Sequence, residues 1–468
     1  MEAWRNCESS ADYPYQLLEE HIIKLQALLR DKNYHELAFF IKESLHRTLG
    51  ELGEVQLYQH ALSGTKKLIE HYLNLVILAL NTLCDKPIPG INEHDKLALL
   101  SQAEKNFGRP ALMLSGGGTF GIYHVGVVSA LLNQNLLPNI ISGTSMGSIA
   151  AGMVACHHDH ELKAILSTPE KSHYKPLKRL SITSVWSHKA LLDPQQLQQC
   201  LETNIGNYTF KEAFDRTGRE VSITVSPART GLKPRILNHQ TTPNVLIYSA
   251  AKASCSVPGL FPPSQLEERP PQGKIVPYLE GELWVDGSFA SDIPRQRISR
   301  LNNVNYFIVS QANPHIVPFI SHRQQTGLIA TFKDIAVTSA YAQGNTLLKV
   351  ARRRLPKQPW RSWLNHASFF FDQDYLGDIN LHPDFPPSWY LKFMINPNEG
   401  ERDYLLKMGE SSTWPKLAMI RDQTRISNAL QACVTRLSEH SSKQTKTTND
   451  QTTTEKSLSN KKSKPLLM

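Results

Sequence analysis

The chain has no apolar run long and clean enough to cross a bilayer. Its longest candidates are Tyr72–Cys84, which is too short, and Ile140–Cys156, which is broken by Gly, Ser and Thr. Any contact with a membrane is therefore expected to be peripheral. The opening Met-Glu-Ala-Trp-Arg-Asn-Cys-Glu has no apolar stretch behind a basic start, which speaks against a Sec-type signal peptide. There is no CxxC pair. The six cysteines, Cys7, Cys84, Cys156, Cys200, Cys255 and Cys433, are scattered. Free thiols in a reducing, cytoplasmic compartment are expected, with no disulfide framework, no metal and no cofactor. Zinc-finger spacing, a basic zipper and RNA-binding aromatic signatures are all missing, which sets nucleic acid aside. No internal repeat is visible.

What is present fits a globular protein. Of 468 residues, 40% are hydrophobic and 20% charged. That length allows one large domain with an appendage or two to three ordinary ones. The net charge of +9 is uneven, because the stretch from Ser441 to Met468 holds six lysines and two acids. The remainder is only mildly basic, compatible with an anionic surface but not diagnostic of one.

The pattern changes along the chain. Leu17-Leu18, Ile22-Ile23, Leu25 and Leu28-Leu29 recur at helical spacing, as do Leu37, Phe40, Ile41 and Leu45, then Leu68, Ile69, Tyr72 and Leu75-Val76. Cys84-Asp85-Lys86-Pro87-Ile88-Pro89-Gly90 breaks that rhythm as a linker. From Arg109 the chain alternates short apolar runs, glycine turns and helical segments. Strands are predicted at Ala111–Leu114, Ile140–Ser142, Val221–Val225 and Tyr306–Ser310, with helices at Tyr123–Leu132 and Ser148–Cys156. This repetition predicts an α/β fold, a mostly parallel sheet with helices on both faces. From Glu439 onward the Thr, Ser, Lys, Asn and Gln content predicts a disordered polar tail, 438–468.

Two glycine turns stand where chemistry could sit. Gly116-Gly117-Gly118-Thr119-Phe120-Gly121 lies between a predicted strand and helix, where backbone N–H groups and a helix N-terminus can hold a phosphate or a developing oxyanion. A tight packing turn is the plainer reading. A dinucleotide site would need a carboxylate about 20 residues on. Leu137-Pro138-Asn139-Ile140-Ile141-Ser142 offers none. The second turn, Gly143-Thr144-Ser145-Met146-Gly147, is a strand-to-helix bend that would expose Ser145 as a nucleophile; the plainer reading is a helix-capping serine. In a parallel sheet the two turns would face one pocket.

A nucleophile needs a base. Asp286, in Leu283-Trp284-Val285-Asp286-Gly287-Ser288, closes an apolar run, where partial desolvation would raise its pKa. Asp-Gly equally makes an Asx turn. Asp292, before Ile293-Pro294, is the weaker rival for the base, and its plainer reading is a turn or cap. A triad would need a histidine after Asp286. His315, His322, His366 and His382 follow it, and only His315 closely follows a strand. His124, on the helix after the first turn, reads as a hydrogen-bonded packing residue.

Together these residues resemble the patatin-like lipid hydrolases, whose Ser–Asp dyad works without histidine. The three family marks occur in order at Gly116–Gly121, Gly143–Gly147 and Asp286-Gly287. Leu237-Asn238-His239, Ser249–Phe261 and Asn303–His315 resemble the same core, in the branch of eukaryotic storage-lipid triacylglycerol lipases. Leu57-Tyr58 and Gly64–Tyr72 are similar to that branch's N-terminal helical domain, and Thr413–Leu417 to its C-terminal end. The resemblance covers roughly Tyr13 to Leu437. It implies a three-layer α/β/α core at 109–320, a helical accessory domain at 13–90 after a flexible 1–12, and a helical and loop extension at 321–437. It implies that Asp286 takes the Ser145 proton, that N–H groups around Gly116, Gly117 and Gly118, joined by that of Met146, hold the oxyanion, and that no metal takes part. Gly121, Gly143, Gly147 and Gly287 complete the motifs. Two departures stand out: Phe120 where many relatives carry Arg or Lys, and Ser288 where Gly or Ala is commoner.

The implied activity is hydrolysis of acylglycerols or glycerophospholipids. A transacylase using the same dyad, a lipid-surface scaffold and a histidine-dependent hydrolase are the alternatives. For surface contact the candidate is Lys349–Leu364, which mixes Arg352, Arg353 and Arg354 with Trp360 and Trp363. A solvated basic loop is its plainer reading.

Overall fold

A computed structural model of the chain describes residues 2–317 and 375–462, apart from residues 11, 48, 50, 51, 62, 63, 182, 186–189, 230–232, 272 and 315. The chain divides into two compact units, Met1–Arg109 with Ala418–Met468, and Pro110–Leu417.

The first unit is helical. Tyr15–Arg30 buries Leu18, Ile22, Leu25 and Leu28, the stripe expected from their spacing. Asn33 caps Tyr34–Ser44 by accepting the Glu36 N–H at 3.2 Å. Lys67–Asp85 buries Leu68, Ile69, Tyr72, Leu73 and Val76 along its first half. A further helix, Glu93–Phe107, starts at Asn92, whose side chain accepts the Asp95 N–H at 2.8 Å. Lys66 is buried, donating to the Trp4 and Cys7 carbonyls at 2.9 Å each, with its ammonium 4.2 Å from the centre of the Trp4 ring.

Leu417–Lys462 is one helix, and from Ala418 it belongs to this unit. Ile420, Ile426, Leu430, Cys433 and Leu437 are buried along it. Arg47 reaches the Gln423 carbonyl at 3.0 Å and the Phe107 and Gly108 carbonyls at 3.1 Å. The segment expected to be a disordered tail is thus helical as far as Lys462. The packed first half supplies the costly nucleus, and no Gly or Pro interrupts residues 439–462.

The second unit carries a seven-stranded sheet. Its strands are β1 (Arg109–Leu114), β2 (Ile140–Gly143), β3 (Glu220–Pro227), β4 (Arg235–Leu237), β7 (Trp284–Asp286), β8 (Val304–Ser310) and β9 (Ile379–Leu381), while β5 (Glu267–Glu268) and β6 (Val276–Pro277) form a separate antiparallel pair. The order is β4-β3-β2-β1-β8-β9, with β7 on β3. β1 with β2, β2 with β3 and β8 with β9 are parallel; β4 and β7 run antiparallel to β3. Ala111 and Met113 pack with Ile140, Val309 and the Ile298 side chain of Arg295–Asn302. Alternation sends Leu112 and Leu114 to the other face.

β1 leads through the first glycine turn into the helix Ile122–Asn133, and β2 leads through the second into Met146–Cys156. The helix Glu399–Thr413 lies on Ile122–Asn133 with glycine against glycine. A Cβ at Gly126 would overlap the Leu406 carbonyl oxygen, and one at Gly409 the Tyr123 carbonyl oxygen. Tyr123 Oη meets Ser412 Oγ at 2.5 Å alongside.

The register fixes where β7 lies. Gly143 of β2 and Leu237 of β4 both pair with Ile223, so β2 and β4 hold opposite edges of β3. Arg235 of β4 and Asp286 of β7 both pair with Val225, so β4 and β7 do too. β2 and β7 therefore share an edge and meet end to end. Gly143 and Asp286 stand two β3 residues apart, about 7 Å.

Candidate active site

Ser145 follows that meeting point by two residues. Its backbone has φ +50° and ψ −128°, a strained conformation for a non-glycine residue at a strand-to-helix turn. Its N–H donates to Ser254 Oγ at 2.9 Å, and that hydroxyl donates to the Thr224 carbonyl of β3 at 2.7 Å. Its carbonyl accepts the Ser148 N–H at 2.8 Å and the Ser148 hydroxyl at 2.6 Å. Gly143 and Gly147 are needed by close approach: a Cβ at Gly143 would stand 2.5 Å from the Gly147 carbonyl oxygen.

Asp286 ends β7 almost fully buried, at 1% exposure. Its Oδ1 accepts the Ser288 N–H at 2.7 Å, while Oδ2 has no hydrogen-bond partner among the described residues. Burial raises its pKa to about 6, opposed by the Ser288 N–H and by contact with the Ser145 side chain. Gly287 follows because a Cβ there would lie 2.5 Å from the Thr224 carbonyl oxygen. Asp286 is thus more than an Asx turn: β3 holds it beside Ser145.

The first glycine turn is held at both ends. The Gly116 N–H donates to Asp292 Oδ1 at 2.8 Å, and the Thr119 N–H to the Phe393 carbonyl at 2.8 Å. The expectation that Gly116 offers its N–H to an oxyanion is thereby corrected, since a buried carboxylate occupies it. Gly116 supplies closeness instead, because a Cβ there would stand 3.3 Å from Ser145 Cβ. Gly118 has φ +57°, and a Cβ on it would overlap the Phe393 carbonyl oxygen. At Gly121 a Cβ would lie 2.6 Å from Met146 Cβ, so the two helix starts interlock. Phe120 points into the core, its ring 4.3 Å from that of Phe385. An apolar residue fits there where a cation would be desolvated.

Asp292 is more than a turn residue. It is 2% exposed, its Oδ2 accepts from Asn313 Nδ2 at 2.6 Å, and its carbonyl accepts the Thr144 hydroxyl at 2.8 Å. Burial, then repulsion from Asp286, raises its pKa to about 7 against the Gly116 N–H and the Gln311 and Asn313 side chains. The partners Ser254, Asn313 and Phe393 escaped sequence reasoning as well. Ser254 and Asn313 lie in stretches that carried the family resemblance, the one signal that pointed toward them.

Around these turns the surface is apolar. The short helix Pro387–Lys392 continues into a strap through Ile395 that lies on the glycine turn by way of Phe393, and Thr119 Oγ1 donates to the Ile395 carbonyl at 2.7 Å. Leu391, Phe393 and Ile395 are 82%, 39% and 52% exposed. A cleft between the helices Ile122–Asn133 and Met146–Cys156 is lined by Ile122, Val125, Met146, Ile149, Ala150 and Met153.

His124 is a packing residue. It is fully buried, its Nε2 donates to the Ser115 carbonyl at 2.9 Å, and Nδ1 meets Ser310 Oγ at 2.7 Å. Burial lowers its pKa to about 4, which keeps it neutral. His382 contacts the carbonyl of the adjacent Pro383 at 3.4 Å. His315, His322, His366 and the basic, Trp-bearing stretch Lys349–Leu364 lie outside the described residues. All six cysteines are free, and all but Cys7 are buried. No helix among the described residues is long and apolar enough to cross a membrane.

Comparison with known proteins shows the family to which the chain is similar. Residues 112–297 match the patatin-like phospholipase family model, and residues 1–105 match a domain of unknown function, DUF3336. Triacylglycerol lipase 4 of Saccharomyces cerevisiae is 34% identical over 90% of this chain and 48% of its own length. Triacylglycerol lipase 5 of the same yeast is 31% identical over 93% of this chain and 61% of its own. The chain thus spans about half to three fifths of these two relatives. Triacylglycerol lipase ptl3 of Schizosaccharomyces pombe is 32% identical over 93% of this chain and 91% of its own length. With that near end-to-end match, and with the three turns assembled in one corner of the sheet, the chain belongs to the patatin-like triacylglycerol lipase family.

Proposed function

We propose that the chain is a serine hydrolase of lipid acyl esters, with Ser145 as nucleophile and Asp286 as its base. One observation carries this reading: β7 continues the β3 edge that β2 leaves, so a buried carboxylate with an unpartnered oxygen lies beside a strained serine. Asp286 takes the Ser145 proton as Oγ attacks the acyl carbonyl. The N–H groups of Gly117, Gly118 and Met146 receive the oxyanion. The departing alkoxide takes the proton from Asp286 and leaves as the alcohol. Asp286 then draws a proton from the water that attacks the acyl-serine, and returns it to Ser145 Oγ as the ester bond breaks, releasing the fatty acid and restoring the free serine and carboxylate. Every step is met by groups of this chain and water.

The substrate is an acylglycerol or a glycerophospholipid, met at a lipid surface on which the chain sits peripherally. The apolar cleft behind Met146 and the exposed Leu391, Phe393 and Ile395 beside the glycine turn support that substrate class. Wild-type protein and Ser145→Ala should be compared for labelling by a fluorophosphonate probe and for fatty-acid release from a panel of triacylglycerol, phosphatidylcholine and lysophospholipid. Labelling and release lost together in Ser145→Ala support the reading. Full release from the purified variant overturns it.

A further inference from the structure

Asp292 carries three separate attachments from one buried position. Its carboxylate accepts the Gly116 N–H at 2.8 Å and Asn313 Nδ2 at 2.6 Å, and its carbonyl accepts the Thr144 hydroxyl at 2.8 Å. Gly116 opens the first glycine turn, Thr144 immediately precedes the nucleophile, and Asp292 lies six residues beyond Asp286. The two glycine turns that meet at the site therefore share one tie.

We propose that Asp292 is a positioning residue that holds the oxyanion turn in register with Ser145, a role that rests on the Ser145–Asp286 reading. The turn is clamped at Gly116 by Asp292 and at Thr119 by the Phe393 carbonyl, so the backbone between the clamps, which carries the N–H groups of Gly117 and Gly118, is fixed at both ends. Both clamps act on the backbone, and each sits one residue outside the proposed donors. Release of the first clamp lets Gly117 swing while Ser145 and Asp286 stay in place, because Ser145 is anchored separately through Ser254. A buried N–H without its acceptor must move or reach water, and both take the turn away from the oxyanion position.

The carboxylate acts here as an acceptor, so Asn can replace it. In Asp292→Asn the side-chain oxygen still accepts from Gly116, and a flip of the Asn313 amide lets its oxygen accept from the new amide group. Ala offers neither bond.

The test measures kcat and KM on a soluble short-chain ester for the full-length wild type, Asp292→Ala, Asp292→Asn and Ser145→Ala. Asp292→Ala is expected to lower kcat by about 100-fold with KM within about 3-fold, since misplaced donors act on the transition state and not on the bound ester. Asp292→Asn is expected to retain kcat within about 5-fold of wild type, because the amide oxygen accepts from Gly116 as the carboxylate oxygen did. A folded Asp292→Ala with wild-type kcat overturns the proposal, as does an Asp292→Asn as impaired as the Ala variant. If Asp292→Ala does not fold, Asn313→Ala replaces it. Loss of the Asn313 support is expected to cost about 10-fold in kcat at unchanged KM, and no loss overturns the proposal. Ser145→Ala tests the underlying dyad separately. Full activity there removes the dyad reading, whereas an inert Ser145→Ala beside an unaffected Asp292→Ala removes only the positioning role.

Discussion

Asp286 and Lys66 are both almost completely buried ionisable side chains, and their surroundings differ in kind. Lys66, in the helical unit, donates to two carbonyls and lies over the Trp4 ring. Asp286, in the sheet unit, leaves Oδ2 without a hydrogen bond and faces a serine whose backbone is strained. Buried polar groups are normally satisfied, and the exceptions in native folds need a reason. Lys66 is held as a structural group is held. Asp286 keeps an oxygen unpartnered among the described residues, as the proposed base would need.

The comparison breaks most visibly at the serine. Ser145→Ala should reduce ester turnover by about 10⁴-fold or more while leaving the melting temperature close to wild type, as followed by ester hydrolysis and circular dichroism. Asp286→Asn should cost about 10³-fold, since the base is lost while the donors remain. The wild-type rate should rise with pH through about 6, because Asp286 is a base only once ionised. The effect on stability has the opposite sense. A carboxyl whose folded pKa is raised binds its proton more tightly in the native state, so wild type gains stability as pH falls from 8 toward 4. Asp286→Asn should therefore melt above wild type at pH 8, with the gap closing by pH 4. An unchanged gap across that range would falsify burial as the cause of the raised pKa.

Smaller effects sharpen the contrast. Lys66→Met should destabilise the chain by about 1–3 kcal/mol in a urea melt, because the Trp4 and Cys7 carbonyls lose their donor, yet leave kcat untouched. A matching fall in kcat would end the distinction between the two regions. Ser145→Gly, inactive like the Ala variant, should gain about 1 kcal/mol, since glycine occupies φ +50° without strain.

The parts legible in the sequence were those written in consecutive residues. Both glycine turns could be read because the sharp bend, the close approach and the adjoining strand and helix all fall within a few positions. The six strands and helices predicted from Ala111 to Ser310 recur in the structure with ends shifted by one or two residues. Asp286 is different. Its own residues allowed an Asx turn as readily as a base; the structure forms the Asx bond to the Ser288 N–H, and only the β3 register, invisible in local sequence, sets the carboxylate beside the serine turn. Asp292, Ser254 and Phe393 were illegible, since their partners lie 176, 109 and 274 positions away in the chain and nothing local distinguishes them. The same distance hid the grouping of the helix from Ala418 with the N-terminal helices.

The crossing of Gly126 with Gly409 bears on how short an active chain can be. The family match ends at residue 297, and a fragment cut there would keep every residue of the proposed dyad and glycine turns. It would also strip the partner from the helix that follows the oxyanion turn, laying open a backbone groove too shallow for any side chain but hydrogen to have filled. Trimming toward a minimal chain should therefore stop beyond Thr413, and a screen of successive C-terminal truncations should lose soluble protein as the boundary passes into Glu399–Thr413.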